Sequence, residues 1–244
     1  MFDSGIGGLS VLRALRAGLP DERWVYFADA AHAPYGERDE DTVRDRTLAI
    51  AAELRAVHGI KALVVACNTA TAAGVHALRA AHPDLPVIGL EPALKPALAR
   101  TRTGHVAVLA TRATLTSARF AGLRARAPVD VRITLQPCDG LAAAIEADDA
   151  RTIVALCRRY TVEAARYGTQ ASEIDTVVLG CTHYPLAADV LRELLGPQVT
   201  LLDTAEPVAR QTLRLLRGAC LLAPRMGDHL LDSRLRGNDE VTPV

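Results

Sequence analysis

The chain has 244 residues, of which 50% are hydrophobic and 4% aromatic, and its 28 basic side chains balance 28 acidic ones. At roughly 150 residues per domain, this length predicts one large or two small domains with a substantial core. The apolar content excludes a disordered polyampholyte, and the zero net charge argues against nucleic acid or another charged macromolecule as a partner.

The start of the chain carries no sign of a targeting or membrane segment. The opening Met-Phe-Asp-Ser-Gly lacks the basic and apolar regions of a signal peptide. No apolar run approaches the roughly 18 residues that a membrane span needs. We therefore expect a cytoplasmic protein without a membrane partner.

A glycine-rich segment, Asp-Ser-Gly-Ile-Gly-Gly-Leu-Ser, follows at residues 3–10 and leads into a helical pattern. Such a loop lets backbone N–H groups approach an anionic ligand. A nucleotide fingerprint fits poorly, because Ser10 stands where the last glycine of G-x-G-x-x-G belongs and no strand is predicted ahead of the loop. A turn without any ligand remains an alternative.

Short apolar or β-branched runs alternate with longer helical patterns along the rest of the chain. The predicted strands are Trp24–Phe27, Lys61–Ala66, Val87–Leu90, His105–Ala110, Val131–Leu135, Thr176–Gly180 and Val199–Leu202. The clearest predicted helices are Asp39–His58, Ala70–Ala81, Asp149–Tyr167 and Glu206–Leu222. This alternation predicts a parallel α/β fold.

Two of these strands end in the same way. One runs into Cys67-Asn68-Thr69 and the other into Cys181-Thr182-His183, 114 positions later. The pattern predicts a capping residue and a helix after each strand, and ligands of open α/β sheets lie beyond the carboxyl ends of strands. The pattern predicts two similar α/β units that offer one thiol each to a shared cleft, with the Pro-rich stretch 91–96 as the crossover.

The five cysteines are widely spread, with neither a Cys-x-x-Cys pair nor zinc-ligand spacing. The remaining roles for each thiol are core packing or proton and nucleophilic chemistry. Two thiols facing each other suit a reaction in which one removes a proton from carbon and the other returns one from the opposite side. That chemistry is racemisation without a cofactor, and His183 could tune the thiol of Cys181.

Five segments in register resemble bacterial glutamate racemase over roughly residues 2–222. They are Phe2–Val11, Pro34-Tyr35-Gly36, Ala66–Ala70, Glu91-Pro92 and Leu179–Pro185. The resemblance implies interconversion of L- and D-glutamate without pyridoxal phosphate or metal, and a supply of D-glutamate for peptidoglycan synthesis. It also implies two parallel-sheet α/β domains related by a pseudo-twofold axis, with the active site between them.

The resemblance assigns roles to individual positions. Cys67 would be the base for D-glutamate and Cys181 the base for L-glutamate, with Asp3 and His183 as their auxiliary groups. The residues that would bind substrate are Asp3, Ser4, Pro34, Tyr35, Gly36, Asn68, Thr69, Thr114, Thr182 and His183. Glu146 would support His183, and Asp29, six residues before Tyr35, would play a similar supporting part, although both are also candidates for solvated surface carboxylates.

The domain division expected from the resemblance is residues 1–92 plus 203–223 for the first domain and 93–202 for the second. Two features depart from the family. Only Met1 and Phe2 precede Asp3, so a central strand of the first sheet is expected to be missing or clipped, which would leave neighbouring backbone groups unpaired. From Pro224 to Val244 the composition changes, and we expect a disordered tail.

Several other functions remain open at this point. The nearest is a racemase of aspartate or another acidic amino acid. A catalytically weak relative that binds DNA gyrase is an alternative from another class, although a binding protein has no need of both thiols. A single-cysteine hydrolase would leave the second thiol unexplained. A homodimer is compatible with the sequence.

Overall fold

The fold is described from a computed structural model, which places residues 1–164 and 166–223. The predicted tail from Pro224 to Val244 lies outside the described residues. Within them, no helix combines the length and the apolar character that crossing a membrane requires.

The described chain folds into two four-stranded parallel sheets. The first has the strand order β2-β1-β3-β4 and the second β6-β5-β7-β8, so the two sheets share one topology. The strands are β1 (Phe2–Asp3), β2 (Phe27–Ala28), β3 (Leu63–Val65), β4 (Val87–Gly89), β5 (His105–Ala110), β6 (Arg132–Pro137), β7 (Thr176–Leu179) and β8 (Thr200–Leu202). We call each sheet with the helices packed on it the first and the second unit. The expected α/β class and the two similar units are confirmed.

Helices cover both sheets, as the apolar spacing predicts. They are α1 (Leu9–Gly18), α2 (Glu40–His58), α3 (Asn68–Ala81), α4 (Leu94–Arg100), α5 (Arg112–Thr116), α6 (Ala118–Arg124), α7 (Leu141–Glu146), α8 (Ala150–Ala164), α9 (Ala188–Leu195) and α10 (Ala205–Gly218). Short 3₁₀ helices span Ala30–His32, Tyr35–Glu37 and Tyr184–Ala187. The longest helix, α2, begins where Asp39 accepts the Thr42 N–H and ends at Gly59 in the left-handed region.

The structure contains a strand that the sequence analysis did not predict. Phe2 and Asp3 form β1 at the centre of the first sheet, paired with both β2 and β3. The expectation of a missing strand is therefore wrong, and the strand has two residues. The same strand runs directly into the glycine-rich loop, which corrects the argument that no strand precedes it.

Neighbouring backbone groups at this end of the sheet have partners. The terminal amino group of Met1 donates to the Val25 carbonyl at 2.7 Å, and the Met1 carbonyl accepts the Phe27 N–H. A strand forms only where its backbone pairs with that of a neighbouring strand. Because β1 begins at Phe2, whose partner is Phe27, β2 starts at Phe27 rather than at the predicted Trp24. Burial lowers the pKa of the Met1 amino group to about 6.

The chain returns to the first unit at its end. Helix α10 packs against α1, and their apolar side chains form one cluster with Val64 and Ile88 of the first sheet. Helices α8 and α10 stop at Ala164 and Gly218, before the predicted ends at Tyr167 and Leu222. Tyr167 instead forms a parallel bridge with Ile174. The domain boundaries given above stay a prediction.

Candidate active site

Cys67 lies at the carboxyl end of β3 and is itself the N-cap of α3. Its Sγ accepts the Ala70 N–H at 3.4 Å, and the helix begins at Asn68, two residues earlier than the predicted start at Ala70. The side chain is buried, and its thiol lies 3.9 Å from the Ser4 hydroxyl. Burial and the nearby charge of Asp3 raise the pKa of Cys67 well above its usual range, although the Ala70 N–H lowers it. The thiol is therefore protonated at neutral pH.

Asp3 lies at the end of β1 and is fully buried. One carboxylate oxygen accepts the Gly8 N–H at 2.6 Å, and the Thr182 hydroxyl of the second unit lies 3.5 Å from both oxygens. Burial raises the pKa of Asp3, while the charge of His183 and the Gly8 N–H act in the opposite direction. Asp3 thus joins the two units beside the Cys67 thiol.

Cys181 follows β7 and is not followed directly by an α-helix. A 3₁₀ turn, Tyr184–Ala187, comes first, which corrects the expectation that both cysteines precede matching helices. The sulfur lies 3.8 Å from Nδ1 of His183, and Nε2 of that ring lies 2.7 Å from Glu146. Burial lowers the pKa of His183, but its hydrogen bonds to Cys181 and Glu146 and the charges of Cys181 and Asp3 raise it to about 10. The imidazole is therefore protonated at neutral pH.

The glycine-rich loop packs directly on these second-unit side chains. A Cβ added to Gly7 would lie 2.5 Å from His183 Nδ1, and one added to Gly5 would overlap the Glu146 carboxylate. Glu146 also accepts the Ile6 N–H at 3.0 Å. The close approach of the two units thus requires glycine at position 7, where a side chain would meet both the ring and the backbone of His183, and a side chain at position 5 would displace the Glu146 carboxylate.

A cluster of three threonine hydroxyls also bridges the units. The Thr69 hydroxyl, on α3, lies 3.0 Å from that of Thr111 and 3.4 Å from that of Thr114. Thr111 and Thr114 are themselves 2.9 Å apart, and all three side chains are buried. Hydroxyls both donate and accept hydrogen bonds, so the cluster can bind a carboxylate or an ammonium group.

Asn68 precedes Thr69 and presents an unsatisfied amide. Both polar atoms of its side chain are buried without a hydrogen-bond partner. Leaving such a group unpaired costs about 1–3 kcal/mol, and a polar substrate would remove that cost. This observation independently favours Asn68 as a ligand-binding residue.

Tyr35 and Gly36 lie in the 3₁₀ turn that follows Pro34, where the first unit touches the second. The Tyr35 hydroxyl donates to Asp29 at 2.5 Å, and a Cβ added to Gly36 would lie 2.6 Å from Thr111 Cγ2. Asp29 is buried, so the alternative of a solvated surface carboxylate is wrong for it. The same alternative fails for Glu146, whose carboxylate is engaged by His183 and the loop.

The two thiols are almost closed off from solvent. Cys67 is 5% exposed and Cys181 7%. This burial keeps bulk water away from both sulfurs, and removal of water strengthens the charge interactions inside the site. In the described part of the chain, no group of three His, Cys, Asp or Glu side chains is placed to hold a metal ion.

Two residues of this region escaped the sequence analysis. Thr111 caps α5 at the carboxyl end of β5, a position that could have been noticed from the strand-end rule. Arg46 lies within α2 and binds Asp29, and no local sequence signal marks it. The structure does bring predicted residues from both units together where the units meet, among them Asp3, Ser4, Cys67, Thr182 and His183.

Comparison with known proteins identifies the relatives of this chain. A family model for Asp/Glu/hydantoin racemases matches residues 9–212. A glutamate racemase from Pseudomonas syringae pv. tomato is 50% identical over 225 residues, which cover 91% of this chain and 80% of the relative.

Two solved structures share the fold. Escherichia coli glutamate racemase in complex with L-glutamate and the activator UDP-MurNAc-Ala superposes with a TM-score of 0.79 at 34% identity, covering 92% of this chain and 83% of that one. Francisella tularensis glutamate racemase in complex with D-glutamate gives a TM-score of 0.76 at 26% identity, covering 93% and 83%.

Proposed function

The chain belongs to the Asp/Glu/hydantoin racemase family, and from this premise we propose that it interconverts L- and D-glutamate by proton transfer between two cysteines. It is an isomerase with curated glutamate racemases at about 50% identity. Two structural neighbours hold opposite enantiomers of glutamate, which supports the same substrate here. D-glutamate is then supplied for peptidoglycan synthesis.

The observation that carries the mechanism is the pairing of each strand-end thiol with a different charged partner. Cys67 has Asp3, and Cys181 has the protonated His183 held by Glu146. A cation beside Cys181 stabilises negative charge on that sulfur. We therefore assign Cys181 as the base towards L-glutamate and the protonated Cys67 as the acid.

For L-glutamate, the Cys181 thiolate removes the Cα proton and the Cys67 thiol delivers its own proton to the opposite face. The product is D-glutamate, a Cys181 thiol and a Cys67 thiolate. The reverse reaction starts from that state with the roles exchanged. Asn68, the threonine cluster and the N–H groups near Ser4 and Gly36 hold the carboxylates and the ammonium group of the substrate.

The test is to incubate purified protein with L-glutamate in D₂O and to follow optical activity together with deuteration at Cα. We expect loss of optical activity with deuterium entering the product, unaffected by EDTA or hydroxylamine and abolished by thiol alkylation. Turnover of L-aspartate in preference to L-glutamate would favour the acidic-amino-acid alternative. A protein with both thiols free and no exchange would contradict the proposal. A homodimer and contact with DNA gyrase stay predictions.

A further inference from the structure

Arg46 reaches across from α2 to the end of β2. Its Nη2 donates to one Asp29 oxygen at 2.6 Å and its Nε to the other at 3.1 Å. Two parallel hydrogen bonds fix the plane of a carboxylate as well as its charge. The orientation of the buried Asp29 is therefore set by a residue that lies in no motif.

Asp29 in turn fixes the position of the Pro34-Tyr35-Gly36 turn. Its oxygen accepts the Tyr35 hydroxyl at 2.5 Å, and Tyr35 is itself buried. Burial raises the pKa of Asp29, but hydrogen bonds from Arg46, Tyr35 and His32 lower it below its usual value. Asp29 is thus an anion at neutral pH, and removal of Arg46 would take away its strongest partner.

The turn itself contacts the cluster of three threonine hydroxyls that we propose binds the substrate. The backbone of Gly36 lies against the Thr111 methyl group, too close for any side chain at position 36. The Thr111 hydroxyl contacts both Thr69 and Thr114. A displaced Tyr35 would therefore move Gly36 away from the hydroxyls that hold the substrate.

We propose that Arg46 is a positioning residue for glutamate binding, acting through Asp29 and Tyr35 on the Gly36 backbone and the threonine cluster. The inference rests on the proposed function for its substrate. Because Arg46 acts on the bound geometry and not on either thiol, its loss is expected to weaken binding more than it slows proton transfer.

The chain offers a matched control on the same helix. Arg55 donates from its two terminal nitrogens to the Asp84 carboxylate at 2.9 and 2.7 Å, a pair with similar geometry. The Asp84 side chain is mostly exposed, and its partner Arg55 lies outside the candidate site. Arg55→Met therefore measures what losing an Arg–Asp pair on α2 does to the protein in general.

We would measure kcat and KM in both directions for Arg46→Met, Arg46→Lys and Arg55→Met, and the dissociation constant of D-glutamate by calorimetry. For Arg46→Met we expect KM and the dissociation constant to rise about tenfold while kcat changes less than about threefold. Arg46→Lys should recover part of the affinity, and Arg55→Met should leave both constants unchanged.

A Tyr35→Phe variant tests the route. Combined with Arg46→Met it should raise KM no further than the larger single effect, because both changes break one chain of contacts. Equal KM values for Arg46→Met and Arg55→Met, or additive effects in the double variant, would overturn the inference. If wild type shows no turnover, the proposed function fails, and the calorimetric comparison still decides the role of Arg46. If Arg46→Met melts below the assay temperature, Arg46→Lys carries the test.

Discussion

The two units place their thiols at equivalent strand ends and surround them differently. Cys67 caps a 14-residue helix beside the buried carboxylate of Asp3, whereas Cys181 enters a 3₁₀ turn beside a protonated imidazole. The same topology thus places one sulfur beside a carboxyl group and the other beside a cation. In the mechanism proposed above, these different neighbours make Cys181 the base and Cys67 the acid for L-glutamate.

The largest expected effect comes from removing either thiol. Cys67→Ala and Cys181→Ala should each lower kcat/KM by about 10³-fold or more, since in the proposed mechanism each sulfur serves as the acid in one direction and as the base in the other. Both directions must fall equally, because the enantiomers have equal free energies. Optical activity and Cα deuteration measure the loss, and melting curves check the fold. Full activity in either variant would remove the two-base mechanism.

The next largest effect comes from changing the charged neighbour of each thiol, and it distinguishes the surroundings of Cys67 from those of Cys181. Asp3→Asn and His183→Asn should each lower turnover about 10²-fold, by the usual size of a lost acid–base helper. The ratio of kcat between the two directions should move in opposite senses, since each variant impairs a different thiol. Primary deuterium isotope effects in both directions would reveal the split. A common shift in both variants would show that the two neighbours are not specialised.

The junction between the units is tested by adding one methyl group. Gly7→Ala should reduce turnover by about tenfold or more, because the new Cβ would displace the His183 ring. Gly122→Ala, within α6 and with open space around its Cβ, should instead stabilise the fold by about 0.5–1 kcal/mol. Activity and melting temperature of the pair give the answer. Unchanged turnover in Gly7→Ala would contradict the close packing at the loop.

Glu146→Gln tests the charge that supports His183, and it predicts a pH dependence. The pKa of His183 is raised from about 6.5 in the unfolded chain to about 10 in the folded one. Its stabilising contribution is therefore complete below about pH 6.5 and disappears as the pH rises towards 10. Melting temperatures across this range should fall less steeply in Glu146→Gln than in wild type.

Glu163→Gln serves as the control for this pH series, since Glu163 forms an exposed pair with Arg159. Its melting temperatures should follow those of wild type across the whole range. An equally steep fall in all three proteins would mean that His183 does not set the dependence.

The smallest expected effect compares the two central strands, since β1 has two residues and β5 has six. A cavity of about 660 Å³ lies beside Met1, lined by Val25 and Ala62 among others. Five apolar residues added ahead of Met1 should extend β1 into it and raise the melting temperature by about 5 °C. Turnover should rise too, because the strand positions Asp3. A Gly/Ser extension of equal length should change neither quantity.

Much of the fold could be predicted because its signals are local. The apolar run 105–110 matches β5 residue for residue, and Asp39 marks the start of α2. The strand at Phe2–Asp3 was missed because two residues carry no alternation. It exists because β2 and β3 pair with it on either side.

The sequence by itself determined the two strand-end cysteines, the neighbouring His183 and the alternation that gives two α/β units, and its resemblance to glutamate racemases pointed to Asp3. Only the tertiary structure decided that Gly7 must be a glycine, that Thr111 joins the hydroxyl cluster, and that Arg46 holds Asp29. Strand and helix patterns depend on neighbours a few positions away, whereas Gly7 and His183 meet only when the two sheets dock. Contacts between such distant positions depend on docking geometry, which no local periodicity encodes.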